Sequence, residues 1–594
     1  MRLDHGIIGN GRAIALIHPD SSVDWMCMPR FDSPSLFGRI LDQHKGGSWQ
    51  FLTDGKLVEG EMKYVSNTNV LRTVFHSDSG SWELFDFLPR IPDGLRHQTP
   101  LRLVRMLRPL KGRPRVSVRF DPRPDYGRET PKLLQGGRGI TFEGLGQPYC
   151  LQTNLPIDYV LNGQEFTLDV PRFFMLDHGL PAEPQHIDDI NRMMDLTIAG
   201  WRKWATNSFL PGFADEKVLR SALCLSLHAY EDTGAIIAAS TTSIPETIGE
   251  PRTWDYRYCW LRDSVFTVEA LRRLAHFHEG KQFLRFLLDV TEAGPLQPLY
   301  GIGGERNLEE SELEHLDGYE GTKPVRIGNA AASQYQADLM GEVILCIRSM
   351  LVDQRASFRN PEQWFPLVKR LVGEAIEGFD REDMGIWEYR GKPMHHTFSR
   401  AMCWAAVHHG AHIAEYFGHE DYVTEWSQIA DNMRERLLLE GYDQELGMFI
   451  QATGEPNADA ALLLLPSIGF IKADDPRFHS TLDRYRELLV RDGGVMRYVH
   501  EDDFGTPTST FTICSFWWVE ALALAGRLDE AVEMFHKVSC KANALGLFSE
   551  DYDLEQERML GNFPQAYTHV GLINAAMTIG NLLRARDGHF HAWS

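Results

Sequence analysis

The hydrophobic pattern changes its period about a third of the way along the chain. Up to about residue 190, short runs of strand-forming residues alternate with turn residues, which is typical of antiparallel strands. Two such runs in segment 64–87 flank a turn at 77–80 and predict a β-hairpin. Similar runs follow at 101–110, 113–120, 139–142 and 165–170. Many short strands with Gly and Pro turns predict an antiparallel β-sandwich over residues 1–187.

From residue 188 onward, apolar residues recur at helical spacing. We expect a linker helix at 188–206 within a linker of residues 188–214, and then a helical domain at 215–594. The predicted helices of that domain are 215–231, 262–276, 280–292, 329–352, 361–378, 398–417, 419–439, 456–467, 476–489, 509–525, 528–538 and 563–586. Because their connections alternate between long and short, we predict an (α/α)6 barrel of six inner and six outer helices. The long loops would gather at one end and hold the site.

The charge balance narrows the choice of partner. The 594 residues include 60 Lys and Arg against 82 Asp and Glu, a net charge of −22. This acidity argues against a nucleic acid or an anionic membrane as partner and favours a neutral substrate. No signal peptide or apolar run of roughly 18 residues is evident, so we expect a cytoplasmic protein. The eight cysteines form no Cys-x-x-Cys pair and predict buried free thiols. The sequence gives no indication of the oligomeric state.

One loop combines aromatic and charged residues at high density. Segment 251–263 places four aromatic residues within seven positions, against 11% aromatic residues in the whole chain. Aromatic faces can stack on a sugar ring, and Arg262 and Asp263 can bond to neighbouring hydroxyl groups. The alternative is an ordinary helix start, with Asp263 as its cap.

A second loop places Glu388 between Trp387 and Tyr389. Apolar surroundings raise the pKa of a carboxyl group, as a general acid near neutral pH requires. The alternative is a surface ion pair between Glu388 and Arg390. The adjacent His395 and His396 point apart and have no third ligand at helical spacing, so we expect no metal. We also expect no cofactor, because the glycine-rich segments do not follow a nucleotide-binding pattern.

A third loop, 546–553, supplies Glu550 as a second carboxylate. One acid and one base or nucleophile are the minimum for glycoside hydrolysis. The alternatives are a solvated acidic loop or a cation site formed with Asp551 and Asp553. A fourth loop, 492–498, brings Arg497 after a glycine turn, where it either binds a hydroxyl group or anchors the loop.

Together these motifs resemble glycoside hydrolase family 15, which includes glucoamylases, glucodextranases and some bacterial trehalases. The resemblance covers nearly the whole chain. Its motifs are IGNGR at 8–12, DWMCMPRFDSP at 24–34, WDYRYCWLRD at 254–263, GY at 318–319, IGN at 327–329, SE at 549–550 and GNFPQ at 561–565. The family implies a β-sandwich followed by an (α/α)6 barrel, in agreement with the pattern of elements.

The resemblance also implies roles for individual residues. The family's general acid corresponds to Glu388 and its general base to Glu550. The residues expected to bind the substrate are Trp260, Arg262, Asp263, Tyr319, Trp387, Tyr389 and Arg497. Fungal glucoamylases carry a second Glu after the acid, where this chain has Tyr389, and this departure bears on any preference for maltose. We expect no starch-binding module beside the two domains, and so no granular starch as substrate.

The resulting hypothesis is an inverting, exo-acting α-glucoside hydrolase. It would release β-glucose from the non-reducing end of a small α-glucoside or short α-glucan, such as isomaltose, short dextrans or trehalose. A trehalase is the alternative within this class, and a glycoside phosphorylase is the alternative outside it. A phosphorylase needs no second carboxylate, so Glu550 disfavours it. A non-catalytic sugar-binding protein would not need both carboxylates.

Overall fold

The computed structural model describes residues 2–94, 96–137, 139–180 and 183–588. Strands fill the first third of the chain, with one short helix, α1 (Ile157–Leu161), between β15 and β16. The strands are β1 Gly6–Gly9, β2 Ile14–Ile17, β3 Val23–Cys27, β4 Ser35–Phe37, β5 Ser48–Thr53, β6 Glu61–Tyr64, β7 Leu71–His76, β8 Gly80–Phe87, β9 Ile91–Asp93, β10 Arg96–Gln98, β11 Arg102–Gly112, β12 Arg115–Asp121, β13 Lys132–Gly136, β14 Gly139–Glu143, β15 Tyr149–Thr153, β16 Phe166–Thr167 and β17 Arg172–His178.

Two antiparallel sheets pack face to face. The first has the order β1-β2-β3-β5-β12-β16, with β4 beside β3, and the second has the order β13-β14-β15-β17-β11-β8-β7-β6. Phe51 of the first sheet meets Phe174 of the second with ring centroids 5.2 Å apart. The predicted hairpin is present as β7–β8, and its register pairs His76 with Ser81. The prediction of an antiparallel β-domain is therefore confirmed.

Helices dominate the remainder of the chain. They are α2 Ile187–Thr206, α3 Asp215–His228, α4 Leu261–Arg273, α5 His278–Glu292, α6 Asp338–Val352, α7 Phe365–Gly378, α8 Thr397–Phe417, α9 Glu420–Glu440, α10 Pro476–Leu488, α11 Thr512–Leu524, α12 Leu528–Ser539 and α13 Ala566–Arg586. Four 3-10 helices lie among them in the described residues: Tyr319–Gly321, Ala330–Ser333, Pro361–Trp364 and Ala460–Leu464.

Short strands join the loops between the helices. They are β18 Cys259–Trp260, β19 Leu299–Tyr300, β20 Ser311–Glu312, β21 Arg326–Ile327, β22 Tyr442–Asp443, β23 Met448–Phe449, β24 Val490–Arg491, β25 Gly494–Val495, β26 Thr510–Phe511, β27 Asp551–Asp553 and β28 Arg558–Leu560.

The helices form two concentric rings. The inner ring runs α4, α6, α8, the 3-10 helix Ala460–Leu464, α11 and α13, and it closes where α13 packs on α4. Outer helices pack on inner ones: α3 on α13, α5 on α4, α7 on α6, α9 on α8 and α12 on α11. The prediction of an (α/α)6 barrel after the sandwich is confirmed, while the predicted limits of the linker segment remain predictions.

One predicted helix of the barrel is wrong. The segment 456–467 forms only the short 3-10 helix Ala460–Leu464. The side chain of Asp459 accepts a hydrogen bond from the backbone N–H of Ala461 and so begins the helix late. Pro466 follows the last turn, and a proline has no N–H with which to continue a helix. The helix predicted at 329–352 likewise begins only at Asp338.

Long connections lead from each outer helix to the next inner element. They are segments 229–260, 293–337, 379–396, 441–459, 489–511 and 540–565. Each one ends at the N-terminus of an inner-ring element, so all six meet at the same end of the barrel. The predicted gathering of long loops therefore exists, and it forms the rim of the pocket described below.

Two further expectations concern the helices and the thiols. Among the described residues, no helix combines the length and apolar character needed to cross a bilayer. None of the eight cysteines, all of which lie within the described ranges, forms a disulfide bond, and seven are buried as predicted. Cys540 is the exception: it is exposed, because it directly follows the outer-ring helix α12.

The guanidinium of Arg257 joins the sandwich to the barrel. It is fully buried and donates to both carboxylate oxygens of Asp255, at 2.9 and 2.7 Å. From the sandwich it meets the carbonyl of Ser33 and the hydroxyl of Tyr126, each at 2.8 Å. The ring of Trp25 lies 5.7 Å from its charge. This one side chain therefore fixes the 251–263 loop against the β-domain.

Arg257→Met should lower the free energy of unfolding by about 3–5 kcal/mol, because it leaves the Asp255 carboxylate buried without its partner. Denaturation midpoints of the purified variant would measure the loss. Arg115→Met is the matched control: its ion pair with Asp54 is on the surface of the sandwich, and such pairs contribute about 0–1 kcal/mol. Equal midpoints for the two variants would contradict the role of Arg257.

Candidate active site

A pocket of about 750 Å³, including its open mouth, lies at the loop end of the barrel. It is lined by Ala238, Glu246, Arg252, Trp254, Tyr256, Trp260, Arg262, Asp263, Asn329, Ile386, Trp387, Glu388, Tyr389, Arg390, Arg497, Tyr498, Asp502, Asp503, Phe504, Phe511, Gln565 and Tyr567. Carboxylates, guanidinium groups and aromatic faces thus converge on a single cavity.

Arg262, in the first turn of α4, organises one side of the pocket. It donates to the carbonyl oxygen of Ile386 at 2.5 Å and to Oε1 of Glu388 at 3.0 Å. It also forms an ion pair with Asp263 at 3.2 Å. The rigid guanidinium can hold several acceptors at fixed angles. Because α4 belongs to the inner ring, the position of Glu388 is fixed by the barrel wall.

Glu388 has an unusual backbone and a raised pKa. Its φ of +60° lies in the left-handed region, which side chains other than glycine rarely adopt. The amide of Gln334 donates to its carbonyl oxygen at 3.2 Å. Burial raises the pKa of the Glu388 carboxyl to about 7, although the nearby Arg262 favours ionisation. This carboxyl group can therefore carry a proton near neutral pH.

Glu550 lies behind the pocket wall, directly before β27. Its carboxylate accepts from the hydroxyl of Tyr256 at 2.8 Å and from the backbone N–H of Asn562 at 3.2 Å. Gly561 packs against it with φ +73°, and a Cβ there would lie 2.6 Å from that of Glu550. Glycine at 561 thus makes room for the carboxylate. Tyr256 lines the pocket and connects it to Glu550.

Glu550 belongs to a group of buried acids. One carboxylate oxygen from each of Glu246, Glu550 and Asp551 lies within 4.8 Å of the others. Burial and mutual repulsion raise the pKa of Glu550 and of Asp551 well above the usual range. Arg497 donates to Glu246 and brings a positive charge to the group.

Oxygen donors of this kind suit hard cations, and these three are the residues in the described part of the chain that could hold a metal. The absence of a metal requirement remains a prediction. His395 and His396 do not belong to this group of possible metal ligands. The ring of His396 stacks on Tyr389, with centroids 5.5 Å apart.

Aromatic side chains form the remaining walls. The indole N–H of Trp387 donates to Asp459 at 2.9 Å, and its ring lies 5.7 Å from that of Phe511. The hydroxyl of Tyr389 accepts from Gln451 at 2.7 Å and lies 3.1 Å from Nε2 of His500. These hydrogen bonds fix the orientation of the Trp387 and Tyr389 rings at the cavity wall, and such ring faces can stack on a sugar.

Comparison with known proteins identifies the family. The sequence profile of the glycosyl hydrolases family 15 matches residues 212–577, and the profile described as trehalase-like, N-terminal, matches residues 3–163. The chain belongs to glycosyl hydrolase family 15. The predicted family membership and glycoside hydrolase activity are confirmed.

Curated relatives of this family 15 hydrolase match over almost the whole chain. The trehalase of Mycobacterium tuberculosis is 36% identical, covering 98% of this chain and 90% of its own. The trehalase of Thermoplasma volcanium is 33% identical, covering 99% and 95%. A bacterial glucoamylase complexed with acarbose has a similar fold, with a TM-score of 0.69 at 14% identity, covering 99% of this chain and 96% of that one.

Most of the site residues predicted from the sequence come together in the family 15 pocket. Seven of them line it, namely Trp260, Arg262, Asp263, Trp387, Glu388, Tyr389 and Arg497. Glu550 is buried behind Tyr256. Tyr319, which was expected to bind the substrate, lies elsewhere. Its ring is fully buried, and its hydroxyl accepts from Arg558 of β28 at 3.2 Å. It therefore faces the β27–β28 hairpin and does not line the pocket.

The structure also bears on the alternative roles of Glu388, Glu550 and Asp263. Arg390 pairs with Glu310, at 3.0 and 2.7 Å, so it does not pair with Glu388. Glu550 is 1% exposed, which excludes a solvated loop. Asp263 lies inside the first turn of α4 and pairs with Arg262, whereas the N-cap position is occupied by Trp260, whose side chain makes no capping hydrogen bond.

Several lining residues could not be predicted from the sequence. Trp254 and Tyr256 were within a recognised cluster, but no pattern singled out the pocket-facing positions. Glu246, Asp503 and Tyr567 lie outside every cluster considered. Glu246 meets its partner Arg497 across 251 residues of sequence, and such pairs leave no local signal.

Proposed function

We propose that this α-glucoside hydrolase cleaves trehalose by inversion, with Glu388 as the general acid and Glu550 as the general base. The observation that carries the proposal is a pair of carboxyl groups at one pocket. Glu388 lines the pocket and is held by Arg262, and Glu550 is buried behind Tyr256, whose hydroxyl donates to it. The choice of trehalose is supported by relatives named trehalase at 36% and 33% identity over nearly the full chain.

The chemistry follows from the two environments. Glu388, with a pKa raised to about 7, donates its proton to the glycosidic oxygen as the C1–O bond breaks. Glu550 removes a proton from a water molecule, whose oxygen forms the new bond to C1 on the opposite face. One proton enters the leaving sugar and one leaves the water, and exchange with solvent restores both carboxyl groups. Arg262, Asp263, Trp260 and Arg497 would hold the glucose that is attacked.

A base must be ionised, and the buried acids around Glu550 oppose this. The Tyr256 hydroxyl and the Asn562 N–H both donate to Glu550 and favour its carboxylate form. The Asp551 carboxylate accepts only from the Ser509 hydroxyl, at 2.8 Å, and its other oxygen has no hydrogen-bond partner among the described residues. We therefore propose that, of Glu550 and Asp551, it is Asp551 that stays protonated. Glu550 is then the ionised carboxylate and can act as the base.

Asp551→Asn should keep activity within about tenfold of wild type, because the amide resembles a protonated carboxyl group and still accepts from Ser509. Glu550→Gln should lose about 10²–10⁴-fold in kcat. Initial rates of glucose release, with circular dichroism to verify folding, would compare the two. If Asp551→Asn were as inactive as Glu550→Gln, the assigned proton position would be wrong.

The proposed activity can be tested by glucose release from trehalose, maltose, isomaltose and short dextrans, each with and without phosphate. We expect trehalose to give the highest kcat/KM and phosphate to leave glucose release unchanged. Glu388→Gln is the control and should lose about 10²–10⁴-fold. Preference for another linkage would overturn the choice of trehalose, and phosphate-dependent formation of a sugar phosphate would indicate a phosphorylase.

The same reaction reports its stereochemistry. Inversion of trehalose gives one β-glucose from the attacked ring and one α-glucose from the leaving ring, whereas retention gives two α-glucose molecules. Proton NMR in the first minutes should therefore show equal α and β signals. An initial signal from the α-anomer alone would make Glu550 a nucleophile.

The pH profile should reflect the pKa of Glu388. The acid must be protonated, so we expect kcat/KM to fall as pH rises through about 7. Arg262 favours the ionised form, so Arg262→Gln should shift this fall to higher pH and reduce kcat/KM by about 10- to 100-fold. Arg262→Lys, which keeps the charge, should leave the midpoint near that of wild type. An unchanged midpoint in Arg262→Gln would mean that another group controls it.

We also propose a cytoplasmic location. The lack of any disulfide among the eight described cysteines, seven of them buried, fits a reducing compartment. Fractionation of cells that produce the full chain would test this proposal, and recovery from the medium or envelope would contradict it.

A further inference from the structure

The segment 499–508, here called the strap, connects β25 to β26 at the rim of the pocket. Three of its residues, Asp502, Asp503 and Phe504, line the cavity. The strap folds back on itself in a tight turn, where Asp502 and Gly505 exchange backbone hydrogen bonds of 3.2 Å. It contacts two different loops of the pocket through two separate ties.

The first tie is a buried ion pair with the 246–254 loop. Arg252 donates to both carboxylate oxygens of Asp502, at 2.8 and 2.7 Å, and to the carbonyl of Gly505 at 2.5 Å. The side chains of Arg252 and Asp502 are almost fully buried. A paired, bidentate arrangement of this kind resists opening because separation would leave a buried charge unpaired.

The second tie is made by Asp503 to the loop that carries Glu388. Its Oδ2 accepts from the backbone N–H groups of Arg390 and Gly391, at 2.6 and 2.8 Å. A Cβ at position 391 would lie 2.2 Å from Oδ1 of Asp503. A side chain at position 391 would therefore push the Asp503 carboxylate out of this contact, which lies two to three residues beyond Glu388.

Between the two ties the strap presents an aromatic surface to the pocket. The ring of Phe504 meets that of Trp254 with centroids 5.1 Å apart. The charge of Arg390 lies 4.5 Å from the Trp254 ring and is paired with Glu310. Because the charge of Arg390 is already paired with Glu310, this surface needs no charged ligand, and a neutral sugar ring can lie against Trp254 and Phe504.

We propose that the strap closes the leaving-group side of the pocket and restricts the substrate to two sugar rings, with Asp503 as the residue that sets this limit. The inference rests on the proposed function, in which Arg262 and Asp263 bind the attacked glucose. Glu388 then marks the scissile bond, and the second ring lies beside Tyr389 and Arg390. A third ring would need the space that Asp503 and Phe504 occupy.

The test compares a disaccharide with the same substrate extended by one ring. For trehalose, the probe is the trisaccharide with a further glucose α-1,4-linked to one ring, and maltose release shows that the 1,1-bond is cut. We expect the wild type to disfavour the trisaccharide by about 100-fold in kcat/KM. Asp503→Ala removes the acceptor of the second tie, so the preference should fall below about tenfold, chiefly through KM for the trisaccharide.

Two further variants make the result specific. Glu501→Ala removes the exposed neighbouring carboxylate of the same strap and should keep the wild-type preference. Gly391→Ala displaces Asp503 from the other side of the tie and should weaken the preference for the disaccharide, as Asp503→Ala does. It therefore tests the tie even if Asp503→Ala fails to fold. Equal rates on both substrates in the wild type, or an unchanged preference in both tie variants, would overturn the proposal.

Failure of the proposed substrate gives a different result. If the wild type hydrolyses another disaccharide and not trehalose, the ratio is measured on that linkage, for example maltose against maltotriose. The length limit should then appear on that series and relax in the same two variants.

Discussion

The buried guanidinium of Arg257 is the interaction on which the pocket depends. The extended chain around it alternates: Asp255 and Arg257 turn toward the β-domain, whereas Trp254, Tyr256 and Trp260 turn toward the pocket. Successive side chains of an extended segment point to opposite sides. One buried ion pair therefore sets the orientation of three aromatic walls, and Arg262 follows directly in α4. The β-domain takes part in shaping the site by holding the back of this loop.

The architecture was predictable because its signals are local. Period-two alternation and helical spacing arise within about ten residues, and the structure confirms the sandwich and most barrel helices. The inner-ring element at 460–464 was overestimated because the apolar run around it suggested a longer helix. Asp459 and Pro466 limit that helix, and the apolar residues are buried because the barrel encloses them. Burial alone can thus imitate an amphipathic helix.

The site was predictable only where a motif carried it. Glu388, Arg262 and Arg497 lay in recognisable motifs and do line the pocket. Glu246 and the strap did not, since their partners lie 251 and 112–113 residues away. Tyr319 is the reverse case: it lies within a family motif but does not line the pocket. Its side chain instead contacts the β27–β28 hairpin. Sequence similarity preserves positions, whereas the direction of each side chain is decided by contacts distant in the chain.

The backbone of Glu388 implies a conflict between durability and catalysis. Its φ of +60° costs of order 1–3 kcal/mol for a residue with a side chain. Glycine would relieve that cost and remove the carboxyl group at the same time. Selection for heat resistance alone would therefore favour loss of this glutamate, and only selection for turnover maintains it. Position 388 is one where a more robust protein and a working enzyme are different sequences.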